Sequence, residues 1–129
     1  MTIIGLDLGR KKIGVALSSG IVAEGYTTLK FDEHDIDHFI SELNNIIFEQ
    51  KVDKIVVGLP LGKDGKETNQ SIWAKTQAQK IASATGKQVV FVEESYSSSQ
   101  AEGERGDIDQ QSARIILEQY LNETNNHSL

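Results

Sequence analysis

A single acid interrupts the apolar run that opens this chain, and it limits what the chain can become. Asp7 sits inside Ile3-Ile4-Gly5-Leu6-Asp7-Leu8-Gly9. The run reads as a strand, yet Asp is depleted in strands. A buried carboxylate also costs free energy unless a cation or hydrogen-bond donors meet it. An acid here implies a place where positive charge is wanted, and Gly5 and Gly9 leave that side of the strand bare for a ligand. The competing reading is that Asp7 begins a turn before Gly9 and stays solvated.

The segments after the first strand set the fold class. Lys12–Ser18 and Val22–Phe31 read as two more strands, with Ser18-Ser19-Gly20 supplying hairpin-turn chemistry and Gly9-Arg10-Lys11 the earlier turn. Asp32 is a plausible N-cap for a helix to about Gln50, on which Ile36, Phe39, Ile40, Leu43 and Ile47 repeat at helical spacing. Val52–Gly58 is a buried strand, Glu67–Ala84 a helix stopped by Gly86, and Gln88–Val92 a short strand. Glu93–Asp107 is polar and mostly loop, and Asp109–Asn122 forms the closing helix. The order βββαβαβα predicts an α/β domain over residues 1–124: a mixed five-stranded sheet with helices on both faces. Residues 125–129 are expected to fray. Ligands of such sheets favour the carboxyl ends of the parallel strands, where Asp7 and Glu93-Glu94 would meet if the first and last strands run parallel.

Composition excludes several classes. The 129 residues fit one domain and include no cysteine, so neither a disulfide framework nor a thiolate metal site is available. No stretch approaches the roughly 18 apolar residues of a membrane helix, and no signal peptide is legible. The expectation is a cytoplasmic protein without a membrane partner. The net charge of −6 lies wholly in the C-terminal part, where residues 93–129 carry 8 acids and 2 bases. Such a charge argues mildly against nucleic acid, but an acidic cluster also suits a hard divalent cation.

Asp7, Glu93 or Glu94, and Asp107 or Asp109 could converge on such a cation. Two ions about 3.5–4 Å apart, sharing carboxylates, can clamp the attacking and leaving oxygens of a phosphodiester. Oxygen-only donors favour Mg²⁺ or Mn²⁺ over zinc. Asp107 and Asp109 are equally good N-caps for the last helix, and the glutamates read alternatively as solvated charges. Arg10-Lys11-Lys12 is the one basic run; with Lys63 and Lys66 it could contact backbone phosphates. Gly58-Leu59-Pro60-Leu61-Gly62-Lys63 fails as a P-loop, because three residues separate its glycines and Asp64 stands where Ser or Thr would bind Mg²⁺. His34 and His38 read as surface residues, and Trp73 as core.

Taken together these residues resemble the YqgF family, also called RuvX, of Holliday junction resolvases and pre-16S rRNA nucleases. The resemblance rests on Gly5-Leu6-Asp7-Leu8-Gly9 with Lys12-Ile13-Gly14-Val15-Ala16, on Val56-Val57-Gly58-Leu59-Pro60-Leu61 with Asp64-Gly65, and on Ile108-Asp109 with Ala113, Ile116-Leu117 and Tyr120-Leu121. The family is similar in fold to ribonuclease H. The resemblance implies a metal-dependent nuclease acting on structured RNA or branched DNA, with 5′ maturation of pre-16S rRNA the favoured role. It carries the catalytic and metal-binding acids onto Asp7, Glu94 and Asp109, with Asp7 bridging two Mg²⁺ or Mn²⁺ ions. Arg10, Lys11, Lys12 and Lys63 are the expected nucleic-acid contacts. The family's Asp-Glu-Arg motif with its Thr pair falls on Glu93-Glu94-Ser95 with Ser97-Ser98, so the motif's cation is lost. The segment from Ala101 to Ile108 is also short and acidic. These departures support an alternative: a weakly active or inactive relative that binds nucleic acid or a protein. A homodimer stays open, because symmetric junction cutting needs a two-fold partner whereas RNA trimming does not.

Overall fold

Backbone pairing turns the alternating apolar segments into one sheet with the acid-bearing strand at its centre. The computed structural model describes residues 1–94 and 107–127, with side chains to residue 124. Three strands come first: β1 (Thr2–Leu8), β2 (Lys12–Ser18) and β3 (Ala23–Lys30). They are succeeded by α1 (Ile36–Gln50), β4 (Val52–Leu59), α2 (Asn69–Thr85), β5 (Gln88–Glu93) and α3 (Ile108–His127). The sheet order is β3-β2-β1-β4-β5. β1 pairs antiparallel with β2 and parallel with β4, and β4 pairs parallel with β5. The carboxyl ends of β1, β4 and β5 therefore share one end of the sheet, as the βββαβαβα order predicts.

Alternation along β1 sorts its side chains onto two faces. Ile4, Leu6 and Leu8 join Phe39 and Leu43 of α1 and Ala74, Ala78 and Ile81 of α2 in the larger core. Ile3, with Ala16, Val56 and Val92 of neighbouring strands, packs under Ala113, Ile116, Leu117 and Leu121 of α3. Ile116 and Leu117 are fully buried, each stabilising by about 1.5–3 kcal/mol. Asp7 has the parity of Ile3 and Gly5, so it stands on the α3 face.

That face is floored with glycine, and α3 lies unusually close to it. A Cβ built at Gly5 would stand 3.0 Å from Leu117 Cβ and 3.1 Å from the Ala113 carbonyl oxygen. One built at Gly14 would overlap the Asp109 carbonyl oxygen outright. The first turn of α3 thus touches the backbone of β2.

Several boundaries differ from the sequence reading. Asp32 does not cap α1; its carboxylate accepts from the His34 amide at 2.9 Å and its carbonyl from the Asp35 amide at 3.0 Å. This local turn competes with helix capping, and α1 starts later, with Asp35 at the cap position. α2 begins after Thr68 rather than at Glu67, because Thr68 and Ser71 form a reciprocal capping box. Gly86 ends α2 in the left-handed conformation, φ 71°, as expected. α3 runs past Asn122 to His127, so the backbone of residues 125–127 is helical. Among the described residues no helix is long and apolar enough to cross a membrane.

The contact at Gly14 is testable. Gly14→Ala should destabilise the protein by about 1–3 kcal/mol, the range for forcing an extra methyl into packed space. Urea unfolding followed by far-UV circular dichroism measures the loss.

Candidate active site

Three elements bring three carboxylates to the carboxyl end of the central strands. β1 supplies Asp7, whose cross-strand partner on β2 is Gly14. The first turn of α3 supplies Asp109, whose backbone rests on that same glycine. Sequence alone leaves Asp107 and Asp109 as equal candidates for the helix cap. The Asp107 carboxylate accepts from the Asp109 amide at 2.8 Å, and its carbonyl accepts from the Gln111 amide at 3.0 Å. Asp107 therefore caps the helix and releases the Asp109 side chain for other work.

β5 supplies Glu94. Its amide donates to the Leu59 carbonyl at 3.0 Å, which extends the β4–β5 pairing one residue past the strand. Its carboxylate lies over Gly58, where a Cβ would stand 2.7 Å from Oε1 and 2.5 Å from Ile116 Cδ1. Any larger residue at 58 would displace it. Glu93, one residue earlier, is exposed, and its carbonyl accepts from Gln119 Nε2 at 2.5 Å. Alternation thus separates the two glutamates, sending Glu94 towards α3.

Burial and the charge of a neighbouring acid raise the proton affinity of Asp7 and Glu94. Asp7 is raised from 3.8 to about 6, mainly because burial penalises its charged form and secondarily because Asp109 is negative. Glu94 is raised from 4.5 to about 7, again by burial first and then by the charge on Asp7. No hydrogen bond or ion pair among the described residues relieves either carboxylate. Among the described residues no three acids or imidazoles are gathered closely enough to hold an ion as they stand. The three acids are coupled through their charges rather than drawn into a finished cage. The donor set is all oxygen, half-buried and short of positive charge, and that chemistry fits a hard divalent cation.

The four expected nucleic-acid contacts are divided. Lys63 borders a hollow of about 390 Å³ that also includes Glu93, Glu94, Phe91 and Gln119. Lys11 and Lys12 border another, of about 410 Å³, with Lys30, Phe31, Asp32 and Asp35. Arg10 is engaged on the α1–α2 side. Its guanidinium stacks 4.6 Å from the Trp73 ring centroid and lies 4.0 Å from Glu33 Oε1, while Trp73 Nε1 donates to Glu33 Oε2 at 3.1 Å. Trp73 is only partly buried, packing at the core's margin against Phe31. Ser95, Ser97 and Ser98, with the acidic segment Ala101–Gly106, lie outside the described residues. Sequence reasoning missed the roles of Gly14 and Gly58, which become visible only once α3 and Glu94 are placed over them.

Comparison with known proteins adds an independent line. The family model described as "RuvX: Holliday junction resolvase" matches residues 1–123. A Synechocystis protein named "Putative pre-16S rRNA nuclease" is 34% identical, the match covering 96% of this chain and 89% of that protein. A Burkholderia ambifaria protein of the same name is 30% identical, over 98% of this chain and 92% of its own. Among solved structures, Thermus thermophilus RuvC has a TM-score of 0.63 at 11% identity, covering 98% of this chain and 97% of its own. The fowlpox virus Holliday junction resolvase has a TM-score of 0.54 at 10% identity, covering 95% of this chain and 99% of its own. At such identities the structural likeness speaks to fold.

The electrostatics predict how stability depends on pH in metal-free buffer. A carboxylate with a raised native pKa favours folding while it is protonated, and that contribution is lost as pH rises through about 4 to 7. Asp7→Asn should therefore differ little from wild type at pH 4 and be more stable by about 2–3 kcal/mol at pH 8. Chemical unfolding of both proteins across that range measures the divergence.

Proposed function

The chain belongs to the RuvX family, and on that premise we propose that it is a metal-dependent phosphodiester hydrolase that matures pre-16S rRNA. The observation that carries this reading is the pair of half-buried, mutually repelling carboxylates, Asp7 and Glu94, with Asp109 beside them and no cation among the described residues to offset their charge. Such a pair is costly to the fold, and a bound cation would convert the cost into affinity.

Asp7 is coupled to both of the other acids, so it would be shared between two Mg²⁺ or Mn²⁺ ions, with Glu94 and Asp109 each completing one. When bound, such ions activate water and neutralise charge developing on the phosphate oxygens. The protein's own contribution is positional. β1 fixes Asp7 from the sheet centre, Gly58 gives the Glu94 carboxylate room, and the Asp107 cap frees Asp109. The raised proton affinities mean that ion binding would expel protons, so affinity should rise with pH through 6 to 7. Lys63 on the Glu94 side and Lys11 and Lys12 on the β2 side would meet backbone phosphates.

RNA is favoured over branched DNA because the relatives named for rRNA processing are the ones that share a third of their sequence with this chain. The resolvase structures share only its fold. Such a role is cytoplasmic, and trimming one RNA end requires no two-fold partner.

The test is cleavage of a labelled pre-16S rRNA 5′ fragment and a labelled four-way DNA junction, each with Mn²⁺, with EDTA and with Asp7→Asn. The expected result is Mn²⁺-dependent cutting of the RNA, abolished in EDTA and reduced at least a hundredfold in the variant. In parallel, Mg²⁺ or Mn²⁺ should raise the melting temperature of wild type but not of Asp7→Asn. Folded wild-type protein that cuts neither polymer would favour the inactive relative, with Ser95 replacing the family's Arg as the first cause to examine.

A further inference from the structure

The sheet has two edges, and they are not equally protected. An edge strand offers unpaired backbone groups to any other strand, and proteins blunt such edges with bulges, charges or proline. β3, at one edge, is interrupted by a register shift at Val15/Ala16 of β2 and carries Glu24 and Lys30. β5, at the other, reads Gln88-Val89-Val90-Phe91-Val92-Glu93, with no charge or proline before Glu93 and no register shift against β4. Phe91 is 39% exposed, and Val89 and Val90 are half-buried. An apolar strand is thus left bare along one side.

The bond from the Glu94 amide to the Leu59 carbonyl fixes which backbone groups face which way. In a parallel ladder the residues alternate, so Gln88, Val90 and Val92 point their N–H and C=O at β4, while Val89, Phe91 and Glu93 point theirs outward. The ends of the outward row are already engaged. The Glu93 carbonyl accepts from Gln119 Nε2, and the Lys87 amide donates to Thr85 Oγ1 at 3.3 Å. Between them, the outward groups of Val89 and Phe91 have no partner among the described residues. Lys87 and Glu93, which flank this gap, form no ion pair among the described residues either.

We propose that β5 pairs antiparallel with β5 of a second copy of this chain, about a two-fold axis through Val90. That register sets Val89 opposite Phe91 and Lys87 opposite Glu93, each pair occurring twice. Every Val89–Phe91 pair exchanges both backbone hydrogen bonds, which satisfies the free groups and leaves Gln119 and Thr85 their own bonds. Lys87, Val89, Phe91 and Glu93 share one parity, and Val89 packs on the α1–α2 core, so both rows of side chains lie on that face. Apolar pairs and opposite charges directly across a ladder both stabilise it. The occupant is a second copy rather than a foreign strand because β5 is its own complement, in shape and in charge, as an isologous interface requires. The partner's Lys87 then stands beside Glu93, at the rim of the hollow bordered by Glu94 and Lys63. The second copy thereby brings a cation to the flank of the acidic site. The pairing is independent of the nuclease reading.

Sedimentation equilibrium of the full chain over a series of protein concentrations tests the pairing, with far-UV circular dichroism to show that each variant is folded. Wild type should exchange between monomer and dimer. Lys87→Glu and Glu93→Lys, each alone, set like charges opposite each other and should raise the dimer Kd about tenfold. The double variant exchanges the two charges and should return Kd close to the wild-type value, a recovery that a merely structural role for either residue would not produce. Lys30→Glu, on the far edge of the sheet, should leave Kd unchanged. Wild-type protein that stays monomeric at the highest concentration reached would overturn the proposal. A dimer indifferent to both single reversals would also overturn it, by placing the interface elsewhere, and so would a double variant no tighter than the singles. None of these results bears on whether the acidic site cuts nucleic acid, so the nuclease reading stands or falls by its own test.

Discussion

The distance between α3 and the sheet governs this molecule. On the opposite face, α1 and α2 are held off by Phe39, Leu43 and Ile81, and the layer between is filled with large side chains. On the α3 face, Gly5 and Gly14 let helix backbone approach strand backbone. Small residues at a helix–sheet contact give up dispersion contacts per residue but gain proximity. Here proximity delivers Asp109 to the flank of Asp7 and wedges Ile116 against Gly58, beside the Glu94 carboxylate. A fold with ordinary side chains at these positions could keep the same topology and lose the cluster.

The same closeness creates the electrostatic character of the cluster. Burial is the larger cause of the raised pKa at both Asp7 and Glu94, and the neighbouring acid is the smaller. α3 therefore acts twice: it removes water from Asp7 and brings a second negative charge to it. Both effects oppose folding. The stabilising burial on the α1–α2 side, where the larger core gathers, offsets the cost of such a cluster.

Much of this is legible in the sequence, and the reasons for the rest are specific. Among the described residues, periodicity of 2 and 3.6 locates each strand and helix, because buried apolar faces repeat regularly. Asp7 stands out because it breaks that regularity. The family resemblance points to Asp109, but residue chemistry alone leaves Asp107 and Asp109 level, since capping and ligation ask for the same carboxylate and only the helix start separates them. Arg10 reads as a phosphate contact from its local run, but Trp73 and Glu33, distant in sequence, engage it. Asp32 fails as a cap because a nearer amide claims its oxygen first.

Asp7 belongs to the first strand and Asp109 to the last helix, so the cluster joins the two ends of the described chain. Contacts that span most of a sequence form late, after the local ones are in place. A chain still emerging from the ribosome could pair β1 with β2 and β3 while α3 is unmade, leaving Ile3, Ala16, Val56 and Val92 uncovered and Asp7 without its neighbour. During synthesis the nascent protein is surrounded by the very class of polymer it is proposed to cut. With one acid carried by α3, the cluster and any cutting proposed for it exist only after that helix has been made and packed onto the sheet.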